Sequence, residues 1–313
     1  MLYGRDLLTL LDLSPDEIRY LINLSIKFKR REISESLYKH IAGRTVVLFF
    51  EKPSTRTRLS LEVACHHLGL RPIYVSATTT QLARGEPIED FARVVDRYVD
   101  AIVARVYSHK TLEMMAKYAD APVINALSDL YHPLQAIADL MTIKEKFGRL
   151  EGIKICFVGD VDNNVAHSLT IGALKLGLEM RLTGPKKYWP SKEFMEKMKE
   201  IASQTGGRII ITDDPKEGVK DAHVIYTDVW VSMGQEKERE ERIKIFRPYQ
   251  VNSRLAANAD PNYIFMHCLP RHRGEEVSDD VFESSHSMVF DQAENRLHSA
   301  KAVLSAILSE SMK

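Results

Sequence analysis

Nine short apolar runs recur along the chain, each bounded by polar residues or glycine: TVVLFF (45–50), AIVARV (101–106), PVINA (122–126), IKICFVGD (153–160), EMRLTG (179–184), RIIITDD (208–214), AHVIYTD (222–228), YIFMHCLP (263–270) and SMVFD (287–291). Most of the intervals between them have helical period. In the first, Leu61, Ala64, Cys65 and Leu68 follow the i, i+3, i+4, i+7 spacing of one helix face. Strands alternating with helices predict a mostly parallel sheet covered on both faces, an α/β fold. At 313 residues the chain exceeds one core of ordinary size, so two such domains are expected. HPLQAIADLMTIKEKFG (132–148) reads as a long helix opening at Pro133 and stopping at Gly148, and the boundary is placed on it or just after it. ENRLHSAKAVLSAILSESM (294–312) reads as a closing amphipathic helix able to pack on either domain.

Charge narrows the chemistry. Forty-three basic and forty-three acidic side chains cancel, which argues against a partner held by a strongly basic surface, nucleic acid above all. The three cysteines, Cys65, Cys156 and Cys268, are too scattered for a disulfide framework or a zinc ribbon, and fit a reduced, cytoplasmic setting. No secretory signal is read at the N-terminus, and no membrane span.

Five stretches at strand ends carry candidate chemistry. FEKPSTRTR (50–58) places Ser54 as a helix N-cap, with Thr55, Arg56 and Thr57 in the first turn. A helix start offers free N–H groups and the positive end of the dipole, and ordinarily carries acidic residues. Arginine there inverts that preference and points to a bound anion matched by the guanidinium fork. Neither nucleotide-binding glycine pattern is present, so a small phosphorylated compound is favoured over ATP or NAD. LYHPLQ (130–135) puts His132 before a helix start and Gln135 one turn in. VGDVDNN (158–164) and TDVWVSMG (227–234) supply amides, a hydroxyl and a carboxylate, a mixture suited to an amino acid: Asp228 for an ammonium, Asn164 with backbone N–H groups for a carboxylate. In MHCLPRHRGEE (266–276), Cys268 is a possible nucleophile with no base beside it in sequence. His267, Cys268 and His272 make only a weak case for a metal. QEKEREERIKIF (235–246) is charge-dense and reads first as a solvated surface.

Taken in order, S-T-R-T-R, H-P-L-Q-A-I-A-D-L-M-T and H-C-L-P resemble the aspartate/ornithine carbamoyltransferase family over about residues 3–308. DVWVSMG together with MHCLP resembles its ornithine-using branch. The resemblance implies two α/β domains, each a mostly parallel sheet flanked by helices and joined by interdomain helices. Residues 1–146 with 294–313 would bind carbamoyl phosphate and 147–293 would bind ornithine. By the same resemblance, Ser54, Thr55, Arg56 and Thr57 cradle the phosphate, while Arg105, His132 and Gln135 hold the carbamoyl group. Arg296 is a further carbamoyl phosphate ligand, and Gln81 reaches the phosphate of a neighbouring subunit, which implies a homotrimer or an assembly of trimers. Asn164, Asp228, Ser232 and Met233 match the ornithine positions. Cys268 and Leu269 contact both substrates, and the Leu269–Pro270 bond is expected to be cis. The catalytic set is Arg105, His132, Asp228 and Cys268, with no metal or organic cofactor. Residues 231–246 are expected to form a lid over ornithine. Two rivals stand beside this reading: a carbamoyltransferase for putrescine or aspartate, and a non-catalytic phosphate-binding protein on the same scaffold.

Overall fold

The computed structural model describes residues 2–231 and 236–310. The chain divides into two compact units, Met1–Met141 with Glu294–Lys313, and Thr142–Ala293.

The first unit opens with α1 (Pro15–Lys29), started by Pro15 and by Ser14, whose side chain and that of Glu17 form a reciprocal capping box. Then β1 (Thr45–Phe50), α2 (Thr55–His67), β2 (Arg71–Ser76), α3 (Ile88–Asp96), β3 (Ala101–Arg105), α4 (His109–Tyr118), β4 (Val123–Leu127) and α5 (Pro133–Phe147) follow. The four strands pair in parallel in the order β2-β1-β3-β4. Val46 to Phe50 and Ala101 to Ala104 are at most 3% exposed, as expected of central strands covered on both faces. Val47, Phe49, Ile102 and Ala104 pack with Phe91 of α3 and with Leu112 and Met115 of α4. Each large apolar side chain so buried contributes about 1.5–3 kcal/mol.

The second unit runs β5 (Lys154–Val158), α6 (Asn164–Lys175), β6 (Glu179–Thr183), α7 (Lys192–Thr205), β7 (Arg208–Thr212), α8 (Pro215–Val219), β8 (Val224–Thr227), α9 (Arg239–Phe246), α10 (Ser253–Ala256), β9 (Ile264–His267), α11 (Asp279–Phe282) and the first residues of α12 (Val289–Leu308), most of which belongs to the first unit. Its five parallel strands are ordered β7-β6-β5-β8-β9. The helices α5 and α12 carry the chain from one unit to the other. Among the described residues, no helix is long and apolar enough to cross a membrane.

Two local readings are corrected. SMVFD (287–291) is not a strand: Ser287 makes one isolated bridge to Phe265, and Val289 opens α12. A five-residue apolar run has no period of its own, and here the helical period of the residues after it wins. Conversely, RPIYVS is the edge strand β2, which the apolar-run criterion passes over. It carries Pro72 and a half-exposed pattern, both tolerated only at a sheet edge.

Candidate active site

In an open parallel sheet, ligands collect outside the carboxyl ends of the strands, where successive connections leave in opposite directions. The strand order puts that switch between β1 and β3 in the first unit, because β1 continues through α2 to β2 and β3 through α4 to β4. In the second unit it lies between β5 and β8, which continue to β6 and β9 on opposite sides. FEKPSTRTR follows β1 and Arg105 ends β3, while VGDVDNN overlaps the end of β5 and Asp228 follows β8; LYHPLQ and MHCLP lie at the ends of the neighbouring strands β4 and β9.

In the first unit, Ser54 caps α2 with extended backbone, its Oγ accepting from Thr57 N–H at 3.3 Å, and the first turn holds no acidic residue. Thr57 is buried. Its hydroxyl accepts from Arg105 Nη1, at the end of β3, and from Arg296 Nη2 of α12, each at 3.4 Å. Arg296 Nη1 donates to Gln135 Oε1 at 2.6 Å, and Gln135 Nε2 donates to Asp139 Oδ1 at 2.8 Å. His132 is buried beside them. Burial, then Arg296, Arg105 and Lys52, hold its pKa well below the usual histidine value. At neutral pH the ring is therefore a neutral imidazole with one N–H to donate. Thr55 and Arg56 are exposed, and Ser54 is half-buried. Arg58, the second arginine of the motif, is used locally: it pairs with Glu62 at 2.8 Å and lies 3.8 Å over the Tyr74 ring. Gln81 stands exposed in a short 3-10 turn, Gln81–Arg84.

Lys52 escaped the sequence reading. It is 8% exposed, with its ammonium 5.1 Å from the centre of the Tyr107 ring. Burial first and Arg105 second push its pKa down to about 8, against weaker support from Asp129 and Glu51. A buried lysine beside buried arginines is costly unless an anion joins them. The signal available in sequence was a third cation only four residues from Arg56.

In the second unit, Asn163 is the N-cap of α6: its Oδ1 accepts from Val165 and Ala166 N–H at 2.9 and 2.8 Å. This leaves Asn164 as the first residue of the helix. Asp228 follows β8 and is 8% exposed. Its Oδ1 accepts from Cys268 Sγ at 3.1 Å and from Val229 N–H at 2.8 Å. Burial raises its pKa, against lowering by His267 and the Cys268 hydrogen bond. Cys268 follows β9 and is half-buried. His267 Nδ1 accepts from Leu269 N–H at 2.9 Å, so Nε2 carries the proton donated to Glu276 Oε1 at 3.0 Å. These bonds hold Leu269 at φ +62°, in the left-handed region, ahead of a cis bond to Pro270. Gly159 ends β5 at φ +114°, where a Cβ would come within 3.2 Å of Trp230 Nε1.

The charge-dense stretch is anchored in its described part. Arg242 of α9 is buried, donates Nε to the Trp230 carbonyl oxygen at 2.6 Å and pairs with the Asp160 carboxylate. Ser232, Met233 and the rest of 232–235 lie outside the described residues.

Each unit thus carries one cluster, cationic in the first and built around Asp228 and Cys268 in the second. Residues 5–145 match the family profile described as the carbamoyl-P binding domain of aspartate/ornithine carbamoyltransferase, and residues 151–307 match its Asp/Orn binding domain. The chain belongs to the aspartate/ornithine carbamoyltransferase family. Within that family it is 53% identical to the ornithine carbamoyltransferase of Pyrococcus abyssi over 98% of this chain and 96% of that one. It is also 53% identical to the anabolic ornithine carbamoyltransferase of Pyrococcus furiosus, over 98% and 97% of the two chains. A solved structure of ornithine carbamoyltransferase from Pyrococcus furiosus superposes with a TM-score of 0.93 over 98% of both chains. The anabolic ornithine carbamoyltransferase of Campylobacter jejuni, 42% identical, gives 0.90 over 96% of this chain and 97% of that one. The carbamoyltransferase fold is discontinuous here: the Asp/Orn-binding profile runs to residue 307, whereas the second unit stops at Ala293.

Proposed function

We propose that the protein transfers the carbamoyl group of carbamoyl phosphate to the δ-amine of L-ornithine, giving L-citrulline and phosphate, as a step of arginine biosynthesis. The observation that carries the reading is the convergence of Arg105 and Arg296 on Thr57 at the start of α2, in the unit matched by the carbamoyl-P binding profile. In this reading Ser54, Thr55, Arg56 and Thr57 hold the phosphate, with Lys52 adding charge from the loop. Arg105, His132 and Gln135 hold the carbamoyl group, and Arg296 completes the set. The full-length relatives named as ornithine enzymes favour ornithine over aspartate or putrescine.

The chemistry follows from these groups. An unperturbed alkyl amine has a pKa near that of lysine, so only about one in a thousand is free base at neutral pH. Ornithine's δ-ammonium must shed one proton before attack. The nitrogen loses a second as the C–N bond forms, and that proton passes to the departing phosphate oxygen as its C–O bond breaks. Asp228 and Cys268 are placed to act on the amine's protonation, the Asp228 carboxylate holding the ammonium and able to accept its proton, with Asn164 taking the α-carboxylate and Leu269 contacting both substrates through its backbone. Ser232 and Met233 keep their proposed place at ornithine. Oxygen of the tetrahedral intermediate is held by Thr57, Arg105 and His132, each donor worth a few kcal/mol. The phosphate leaves as a dianion on Arg56, Lys52 and the helix start, without a step that requires a cofactor.

We further place the protein in the cytoplasm as a homotrimer, or an assembly of trimers, in which Gln81 contributes to a neighbour's phosphate. Its exposure suits that role. A monomer that is fully active on dilution would count against it.

Incubating the protein with carbamoyl phosphate and, separately, ornithine, putrescine or aspartate tests the substrate reading. Ureido product is expected with ornithine. Turnover with only another amine overturns the choice of acceptor, and no turnover with any of them favours a binding protein.

Two further results are expected. Arg56→Ala raises KM for carbamoyl phosphate about 10–100-fold through one lost charge-assisted contact, while the melting temperature barely moves because Arg56 is exposed. An unchanged KM would make this stretch a plain helix cap. Carbamoyl phosphate affinity also falls as pH rises through about 8, where Lys52 loses its proton in the free enzyme. Since a bound dianion favours charged lysine, binding above that pH takes up a proton. Lys52→Gln flattens this limb, and an identical pH profile in the variant would exclude Lys52 as its source.

A further inference from the structure

The turn after β9 gathers polar side chains that the proposed reaction does not use. Glu275 N–H donates to the His272 carbonyl oxygen at 3.0 Å, and Gly274 takes φ +75°, a left-handed corner that glycine reaches without strain. The tight turn turns His272, Glu275 and Glu276 toward one another, and one ligand-capable atom from each lies within 4.8 Å of the other two. His272 Nδ1 stands 3.7 Å from Glu275 Oε2. Among the described residues, His272 Nδ1, Glu275 Oε2 and Glu276 Oε2 are all buried atoms without a hydrogen-bond partner.

The remaining carboxylate oxygens are occupied. Glu276, itself 0% exposed, accepts through Oε1 from His267 Nε2 at 3.0 Å and from His272 N–H at 2.8 Å. Glu275 Oε1 is paired with Arg239. Each glutamate is thus oriented by one oxygen while the other is left over, the arrangement in which hydrogen bonds to a carboxylate fix it as a ligand. Two buried carboxylate oxygens without partners are costly beside each other unless a positive charge joins them.

We infer that His272, Glu275 and Glu276 form a binding site for a first-row divalent cation such as Zn2+, Mn2+ or Co2+. One imidazole nitrogen and two carboxylate oxygens suit these ions, and three protein ligands leave room for water. Bonds of about 2.0–2.2 Å require the donors to draw slightly closer. The His272 side chain, 40% exposed, is free to make that movement. Occupancy has a route to the strand end beside it. Glu276 also holds His267, whose Nδ1 fixes Leu269 N–H next to Cys268.

Co2+ titration of the chelator-stripped protein tests the site. One Co2+ per chain is expected, with weak visible d–d bands, no thiolate charge-transfer band, and displacement by Zn2+. A thiolate band would place the ion on Cys268, in the Asp228–His267–Cys268 group, and overturn the inference, as would the absence of stoichiometric binding. His272→Ala and Glu275→Gln should each weaken Co2+ affinity by at least about tenfold, and unchanged affinity in both overturns it. In the unmutated protein, paramagnetically shifted proton resonances from one imidazole ring provide a readout that needs no variant. Their absence in Co2+-loaded protein equally overturns the assignment.

Discussion

Arg105→Leu is expected to lower kcat/KM for carbamoyl phosphate by about 10⁴-fold, combining a lost oxyanion donor with a lost charge-assisted contact. Arg105 is the donor whose removal also changes its neighbours, because its Nη1 positions the Thr57 hydroxyl at 3.4 Å. The folded state should not suffer in proportion. Arg105 lies among Lys52, Arg296 and His132, and it lowers the pKa of both Lys52 and His132. Deleting one cation from that group relieves repulsion in the free enzyme, so melting temperature is expected to hold while activity collapses. His132 provides the independent readout. Its depressed pKa should rise toward the ordinary value of 6.5 when Arg105 is gone, since one of the charges disfavouring imidazolium is removed. Titration by NMR would detect this. An unmoved His132 titration, or a fall in melting temperature matching the loss of activity, would reduce Arg105 to a structural residue.

Asp228→Asn should lower kcat/KM for ornithine by about 10³-fold, in the range set by removing a buried charge partner from an ammonium, and leave carbamoyl phosphate affinity unchanged. The isosteric amide keeps an oxygen for Val229 N–H and Cys268 Sγ, so the loss isolates the charge. Burial makes that charge unfavourable in the free protein. An acid with a raised folded pKa binds its proton more readily folded than unfolded, so stability declines as pH rises from the unfolded value toward the folded one. Asparagine removes this decline, and the variant should be at least as stable as the parent at neutral pH. Losing carbamoyl phosphate affinity along with ornithine turnover would show that Asp228 supports both clusters instead.

The degree to which sequence announces this architecture differs by residue for physical reasons. Central strands such as β1 and β3 are apolar on both faces and show as continuous runs, whereas β2, half-exposed and carrying Pro72, does not. The Ser54 cap and the Pro133 and Gly148 ends of α5 follow from local stereochemistry, and the structure has them. Arg105 and Arg296 are different. Nothing in their neighbourhoods marks them, and only the family resemblance singles them out, because the hydroxyl they share belongs to another segment. Lys52 and Asp139 matter through tertiary burial, which no local pattern reports. The Arg58 of the opening motif shows the converse: its charge is visible in sequence, but its Glu62 and Tyr74 partners give it a local task.

The discontinuity of the first unit bears on how the chain is made. Thr57 and Arg296 are 239 residues apart, and α12 is the last helix described. A ribosome completes the whole second unit before releasing the segment that finishes the first. Domains that emerge as continuous segments fold as units during synthesis. Here the first unit must wait with its sheet lacking its final helix and its phosphate site lacking a guanidinium. A nascent chain stalled before residue 294 should contain a second unit able to fold and a first unit unable to retain carbamoyl phosphate. The anion site is therefore completed only after the whole second unit has been translated.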